Sequence, residues 1–279
     1  LTNRQLQRAY ERLAQDLIAR HGLGPGRQVA IVGRNHRSTV VGLLAAARTG
    51  ADVVLLNPDS PPAVMSRLLG ARPPHLILHA AEPGLDGAAV APEVTHVVLD
   101  GAGAEAAGSH PLSRIGRPGH VVVLTSGSTG LARRVGRRPT LGQVLPPVLG
   151  LMEALPITMH RPIVLAAPVF HGHGLATLAI CLAFAAPIHF GRRHDIAPML
   201  ARIPDGPMPL VVSVPTLLYR WLAAGRPSRP VAAVVTGSAP LAPGLCTDLL
   251  DAVGPVLFNL YGSTETGVLT LATPDMLRA

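Results

Sequence analysis

Lysine is absent from the 279 residues, and all 24 basic residues are arginine. Without lysine there can be no GxxxxGK[ST] phosphate loop. Cysteine is scarce: Cys181 and Cys246 are the only two, with neither zinc-ligand spacing nor a disulfide framework. Phe, Trp and Tyr make up 3% of the chain, too few for a platform that stacks single-stranded nucleic acid. The formal charge of +8 accompanies 29 glycines, 28 prolines and abundant alanine. It therefore reads as a coding bias toward arginine, not as a nucleic-acid patch. A long apolar run is missing as well. The longest, GLATLAICLAFAAPI (174–188), is broken by Pro187 and falls short of the roughly 20 residues that a membrane span needs. It reads as a buried core helix. No signal-like segment opens the chain, so the cytoplasm is the expected compartment.

What is present is an alternation of short β-branched runs with helical patterns. LTNRQLQRAYERLAQDLIARHGL (1–23) has Leu6, Tyr10, Leu13, Leu17 and Ile18 on one helical face. The chain thus starts in mid-element at Leu1, as expected of a piece of a longer protein. Strands are predicted at 28–33, 53–57, 75–79 and 96–100, and after a loop-like stretch at 101–119 again at 120–127, 163–167, 187–190, 210–214, 231–237 and 256–262. A helix spans 37–50, closed by Gly50, and another opens at DSPP (59–62), where Ser60 is a candidate cap. Strands apolar on both faces, separated by helix-length segments, predict an α/β fold of two parallel-type sheets layered with helices. The expected division is 1–115 and 116–279, with the polar motifs below in the second part.

LTSGSTGLARR (124–134) follows one strand. Glycines at 127 and 130 let backbone N–H groups approach an anion, and Thr125, Ser126, Ser128 and Thr129 add hydroxyl donors. Arg133 and Arg134 supply cationic forks that suit phosphate oxygens. The chemistry implied is a triphosphate cradle; a polar surface turn is the plainer alternative. No GxSxG elbow occurs in it, so a serine hydrolase does not fit. FNLYGSTETG (258–267) is a second strand-to-turn motif, with hydroxyls at Ser263 and Thr264 beside the carboxylate of Glu265. A carboxylate near a phosphate cradle is what Mg²⁺ requires. Tyr261 offers a flat face, and Asn259 an amide able to read an adenine edge.

Together these motifs resemble the adenylate-forming superfamily: acyl-CoA synthetases, luciferases and the adenylation domains of peptide synthetases. TNRQLQRAYERLAQDLIARHGLGPGRQVAIVGRNH (2–36), GLLAAARTGADVVLLNP (42–58), APVFHGHGL (167–175) and TGSAPL (236–241) resemble further family motifs in the same order. The resemblance implies the N-terminal portion of such an enzyme. Ser126, Gly127, Ser128, Thr129 and Gly130 would grip the β- and γ-phosphates of ATP. Thr264 and Glu265 would orient the α-phosphate and Mg²⁺. Gly237, Ser238, Ala239, Pro240, Asn259 and Tyr261 would frame the adenine and one wall of the acyl pocket, and Gly262 and Ser263 beside them would also contact the nucleotide. His171 would stand at the mouth of the acyl site, unless it is simply a packed histidine. His171 and His173 without a Cys, Asp or Glu beside them make a poor metal pair.

The implied reaction is ATP-dependent activation of a carboxylic acid to an acyl-adenylate, followed by transfer to coenzyme A. FHGHGLATLAICLAF (170–184) carries no carboxylate to pair an amino-acid ammonium, which favours an acyl acid, fatty acids foremost. A fatty-acyl-AMP ligase, a peptide-synthetase adenylation domain and a non-catalytic nucleotide-binding relative are the alternatives. The chain departs from the family in two ways that bear on activity. Its loop has Ala132, Arg133 and Arg134 where the family has Pro-Lys-Gly, and it lacks the lysine of the family's C-terminal domain. The expectation is that this chain alone is weakly active or inactive.

Overall fold

The computed structural model describes residues 1–70, 73–82, 89–99, 119–125, 133–135, 141–191, 193–225, 227, 229–263 and 266–279; for 123–125, 133–135 and 141–145 only the backbone course is described. The chain divides into two compact units, Leu1–Arg138 and Pro139–Ala279.

The first unit begins with α1 (Asn3–His21), opened by a capping box in which Gln5 N–H donates to Thr2 Oγ1 and Thr2 N–H donates to Gln5 Oε1. Gly22 closes the helix at φ +60, a left-handed conformation that glycine adopts without strain. Leu17 and Ala14 are fully buried, while Ile18, placed on the same face from the sequence, is 37% exposed. Ala14 lies one turn from Leu17 and lets α1 sit close; Ile18 lies at the stripe's margin.

Strands β1 (Gln28–Val32), β2 (Asp52–Leu56), β3 (Leu76–Ala80), β4 (Thr95–Leu99), β5 (Val121–Thr125) and β6 (Arg133–Val135) form a sheet in the order β4-β3-β1-β2-β5-β6. The pairs are parallel up to β5, and β6 returns antiparallel to it. β1 is buried at all five residues, as a central strand covered on both faces must be. Helices α2 (Arg37–Arg48) and α3 (Pro62–Leu69) connect the first three strands. Ser60 does not cap α3: the N-cap is Pro61, with no side-chain capping bond, and Pro62 pre-sets the first helical φ. Asn57 shapes the approach instead, its Oδ1 accepting from Asp59 N–H at 2.9 Å.

The expected boundary at 115/116 lies outside the described residues, but strand pairing carries the first unit beyond it. β5 extends this sheet, with Val53 opposite Val121 and Leu55 opposite Val123. It thereby satisfies the second edge of β2. The strands that flank 126–132 in sequence, β5 and β6, both belong to the sheet of the first unit.

At the C-terminal edge of this sheet Arg34 joins three loops. Its guanidinium contacts Asp59 and donates to Glu82 Oε2 at 3.1 Å. The Glu82 side chain is 2% exposed, whereas Asp59 is open to solvent.

The second unit contains α4 (Leu141–Ala154), β7 (Ile163–Leu165), α5 (Gly172–Ala183), β8 (Ile188–His189), α6 (Ile196–Leu200), β9 (Leu210–Val212), α7 (Pro215–Ala223), β10 (Ala233–Gly237), α8 (Pro243–Val253), β11 (Leu257–Ser263), β12 (Gly267–Ala272) and α9 (Pro274–Arg278). Its sheet runs β12-β11-β10-β9-β7-β8, parallel except for the β11–β12 hairpin. One face is a core of Val164, Val211, Val234 and Leu257 packed on Leu200, Leu218, Trp221 and Leu249 of α6, α7 and α8. The apolar run read as a buried helix is α5 and a turn, and β8 falls within the strand predicted at 187–190. α5 buries Gly174, Leu178 and Cys181 and leaves Ala176, Ala179 and Ala183 exposed. Ala185, at φ +51, ends the run as a helix. Among the described residues, no helix is long and apolar enough to cross a membrane.

Candidate active site

In the second sheet β7, β9, β10 and β11 are parallel, so their C-terminal ends meet at one edge. β7 connects onward to β8 on one side, whereas β9 connects to β10 on the other. Neighbouring strands whose connections diverge leave a crevice at their C-terminal ends, the usual place for a ligand in such sheets. His171, Gly237–Pro240 and Asn259–Ser263 all lie along this edge.

β10 ends at Gly237, which is buried. A Cβ there would lie 2.7 Å from the Leu260 carbonyl oxygen of β11, so only glycine lets the two strands close at this point. Ser238 follows at φ +69, a conformation that costs a non-glycine residue free energy and turns the chain sharply out of the sheet. Ser238, Ala239 and Pro240 are exposed beyond that turn. Beside it, Asn259 is half-buried and Tyr261 is 67% exposed, its ring open to a flat partner. The register of the β11–β12 hairpin shifts between Tyr261 and Gly262, a bulge that twists the strand where the motif turns outward.

Thr266 is a residue that the sequence did not single out. Its N–H donates to Ser263 Oγ at 3.1 Å, its Oγ1 accepts from Ser263 N–H at 3.3 Å, and the two hydroxyls lie 3.0 Å apart. This pair joins the residues on either side of Thr264 and Glu265, which themselves lie outside the described residues. β12 was also unread: GVLTLA lies at the sheet's edge and shows no clean alternation.

The phosphate-loop candidates belong to the other unit. Thr125 ends β5 and pairs with Arg133 of β6, and Leu124 with Arg134. β5 and β6 are thus antiparallel neighbours in the first sheet. Ser126, Gly127, Ser128, Thr129 and Gly130 lie outside the described residues.

The residues on the second unit's edge fit an adenine ring: bare backbone at Gly237, an open aromatic face at Tyr261, and an amide donor and acceptor at Asn259. Among the described residues, no three His, Cys, Asp or Glu side chains converge as a metal cage. The carboxylate expected to hold Mg²⁺, Glu265, is outside them.

The whole sequence, residues 1–279, matches the family of AMP-binding enzymes. The chain belongs to this family. Among its relatives are feruloyl-CoA synthase of an Amycolatopsis species, 28% identical over 97% of this chain and 56% of its own length, and 4-coumarate–CoA ligase 1 of Oryza sativa subsp. japonica, 30% identical over 96% of this chain and 52% of its own. The fold is that of o-succinylbenzoate CoA synthetase from Bacillus subtilis, solved with an acyl-adenylate: the TM-score is 0.78 at 22% identity, over 97% of this chain and 55% of that one. The chain spans about half the length of the curated relatives it matches.

In this AMP-binding enzyme chain three histidines flank the crevice. His171 is the N-cap of α5 but makes no side-chain capping bond, and its ring packs on Phe170 with centroids 4.7 Å apart. Surrounding protein lowers its pKa, and the positive field of His194 adds to that. Burial pushes His173 down to about 4. His194, unremarked in the sequence, holds a left-handed backbone at φ +59 and donates from Nδ1 to the Ala166 carbonyl at 2.9 Å, which places a proton on that nitrogen. Gly174 sets α5 against the end of β7, because a Cβ there would lie 2.2 Å from the Pro168 carbonyl oxygen.

Proposed function

We propose that this chain is the nucleotide-binding part of an ATP-dependent acid–thiol ligase, which activates a carboxylic acid as an acyl-adenylate and passes the acyl group to coenzyme A. The observation that carries this reading is the convergence of Gly237, Asn259 and Tyr261 at one C-terminal sheet edge in a member of the AMP-binding enzyme family. In the proposed reaction a carboxylate oxygen of the acid attacks the α-phosphorus of ATP, and pyrophosphate departs with the electrons of the broken P–O bond. A thiolate then attacks the acyl carbon and releases AMP. Such phosphorus chemistry needs positioning and charge neutralisation more than covalent help from side chains.

The roles follow from the motifs. Thr125, Ser126–Gly130 and Arg133 hold the terminal phosphates. Gly237–Pro240, Asn259 and Tyr261 enclose the adenine. Gly262, Ser263 and Thr264 meet the α-phosphate, and His171 lines the entrance of the acid. Glu265 holds Mg²⁺, which supplies charge neutralisation at the phosphates when bound. ATP and coenzyme A place the reaction in the cytoplasm. Having no lysine, the 279-residue chain carries out adenylation poorly by itself.

Two acid classes fit. The uncharged segment 170–184 favours an acid without an ammonium group, as a fatty acid is. The names of the relatives, feruloyl-CoA synthase and 4-coumarate–CoA ligase, favour an aryl acid. ATP–pyrophosphate exchange by the full-length protein with ferulate, a medium-chain fatty acid and a neutral amino acid tests the reading. Exchange with one of the first two and not with the amino acid is expected. Exchange with the amino acid alone would identify an adenylation domain of the peptide-synthetase type, and no exchange with any acid, together with no ATP binding, would overturn the reading.

A further inference from the structure

Two hydroxyls in the second sheet sit where polar atoms are costly. Ser213 and Thr236 are both 0% exposed, and neither Ser213 Oγ nor Thr236 Oγ1 has a hydrogen-bond partner. An unpaired buried hydroxyl costs on the order of 1–3 kcal/mol, so two together call for an explanation. Their placement supplies one. Val212 is opposite Val235, and Ser213 N–H donates to the Val235 carbonyl at 3.0 Å, so Ser213 follows β9 directly beside Thr236 of β10. Thr236 is in turn opposite Asn259 of β11. Side chains in register on parallel strands share a face and stand about 4.8 Å apart. Ser213, Thr236 and Asn259 therefore form a row across three strands, two residues beyond the core positions Val211, Val234 and Leu257 on the same face. No hydrogen bond holds the Asn259 amide among the described residues, which leaves it able to present either its oxygen or its nitrogen outward.

We propose that Ser213 and Thr236 are positioning residues: a buried hydroxyl relay that closes onto the Asn259 amide when a nucleotide arrives and selects adenine over guanine. The relay rests on the reading of Asn259 as the residue that meets the base. The Ser213 hydroxyl donates to Thr236 Oγ1, and the Thr236 hydroxyl donates to one lone pair of Asn259 Oδ1. Rotation about χ1 of each hydroxyl-bearing side chain is the only movement required. With its oxygen pinned, the amide offers the other Oδ1 lone pair to the exocyclic amino group of adenine and its NH₂ to a ring nitrogen. Guanine has a carbonyl oxygen where adenine has that amino group, so the pinned amide faces it acceptor to acceptor. Flipping the amide to suit guanine would leave the relay's last donor facing an NH₂. Discrimination by a buried group left unpaired with the wrong partner is stronger than discrimination by shape.

The test measures dissociation constants of ATP and GTP by titration calorimetry for the wild-type chain, Thr236→Val, Thr236→Ser and Ser213→Ala. Wild type is expected to prefer ATP. Thr236→Val, which keeps the shape and removes the hydroxyl, is expected to lose about tenfold in ATP affinity with GTP unchanged, the size of one hydrogen bond. Thr236→Ser is expected to restore the ratio, and Ser213→Ala to lower it less than Thr236→Val. Equal losses for ATP and GTP in Thr236→Val, or an unchanged ratio, would overturn the relay and leave the nucleotide reading intact. If Thr236→Val does not fold, an unchanged ratio in Ser213→Ala overturns the relay in the same way. A wild-type chain that binds neither ATP nor GTP would overturn both.

Discussion

His173 is a titratable group held neutral by its surroundings. Its ring sits in the first turn of α5, where burial lowers its pKa from the ordinary 6.5 to about 4. In the unfolded chain it regains the ordinary value, so between these limits the unfolded state binds more protons than the folded one. Its contribution to stability is thus fully present above pH 6.5 and is lost as the pH falls toward 4. Burial lowers the pKa of His171 and His189 too, and both act in the same direction. The urea midpoint is expected to fall as the pH drops from 6.5 to 4, with His173 accounting for about 2–3 kcal/mol of the loss. In His173→Gln the same series should be visibly flatter; an equal slope would mean that His173 does not titrate in that window. Gly237 and Ser238 make the other point at this scale. TGSAP could be read from the sequence as a candidate turn, but the reason for glycine at its head is the Leu260 carbonyl of a strand more than twenty residues away.

At the scale of elements, loops are held to strands by few and unequal contacts. Arg34 spans the loops after β1, β2 and β3, yet its two carboxylates differ in environment: Glu82 is enclosed and Asp59 is not. Removing the guanidinium leaves Glu82 buried without its counter-charge, a change that costs about 3–5 kcal/mol in comparable pairs. Removing the exposed charge costs about 1 kcal/mol or less. Arg34→Met is therefore expected to lower the chemical-denaturation stability by several-fold more than Asp59→Asn. Similar losses in the two variants would mean that the enclosed pair is not the dominant one. The strands themselves were largely legible, because runs such as QVAIV and VAAVVTG are apolar on both faces and short. β12 escaped because its edge position leaves it a mixed pattern. The apolar run from 174 was misjudged in extent because hydropathy cannot show where Ala185 takes a left-handed turn.

At the scale of the molecule, the proposed function assigns the nucleotide's base to the sheet edge of the second unit and its terminal phosphates to residues of the first. Binding to the folded state alone raises stability by mass action: about 2.7 kcal/mol at a ligand concentration 100 times its dissociation constant. ATP, and AMP to a similar degree, are expected to raise the melting temperature by several degrees, at about 2–4 °C per kcal/mol for units of this size. A shift with pyrophosphate but none with AMP would place the nucleotide's grip in the first unit and not at the base. The basic charge does not need to contribute to this. A shift that vanished at moderate salt would point instead to diffuse attraction by arginines.

Composition and order of motifs by themselves determined the α/β class, the family and the chemistry to look for. The absence of lysine excluded a Walker loop, and LTSGSTG and NLYGSTE named the two turns. These are local properties: a glycine-rich turn after an apolar strand carries its meaning within about ten residues. Which sheet each turn belongs to was decided only in three dimensions. β5 joins the first sheet because β2 has an open edge there, and the first compact unit accordingly runs to Arg138 in the sequence. The row of Ser213, Thr236 and Asn259 could not be read from the sequence either. Those residues lie far apart in the chain, and only the register of three parallel strands sets them side by side.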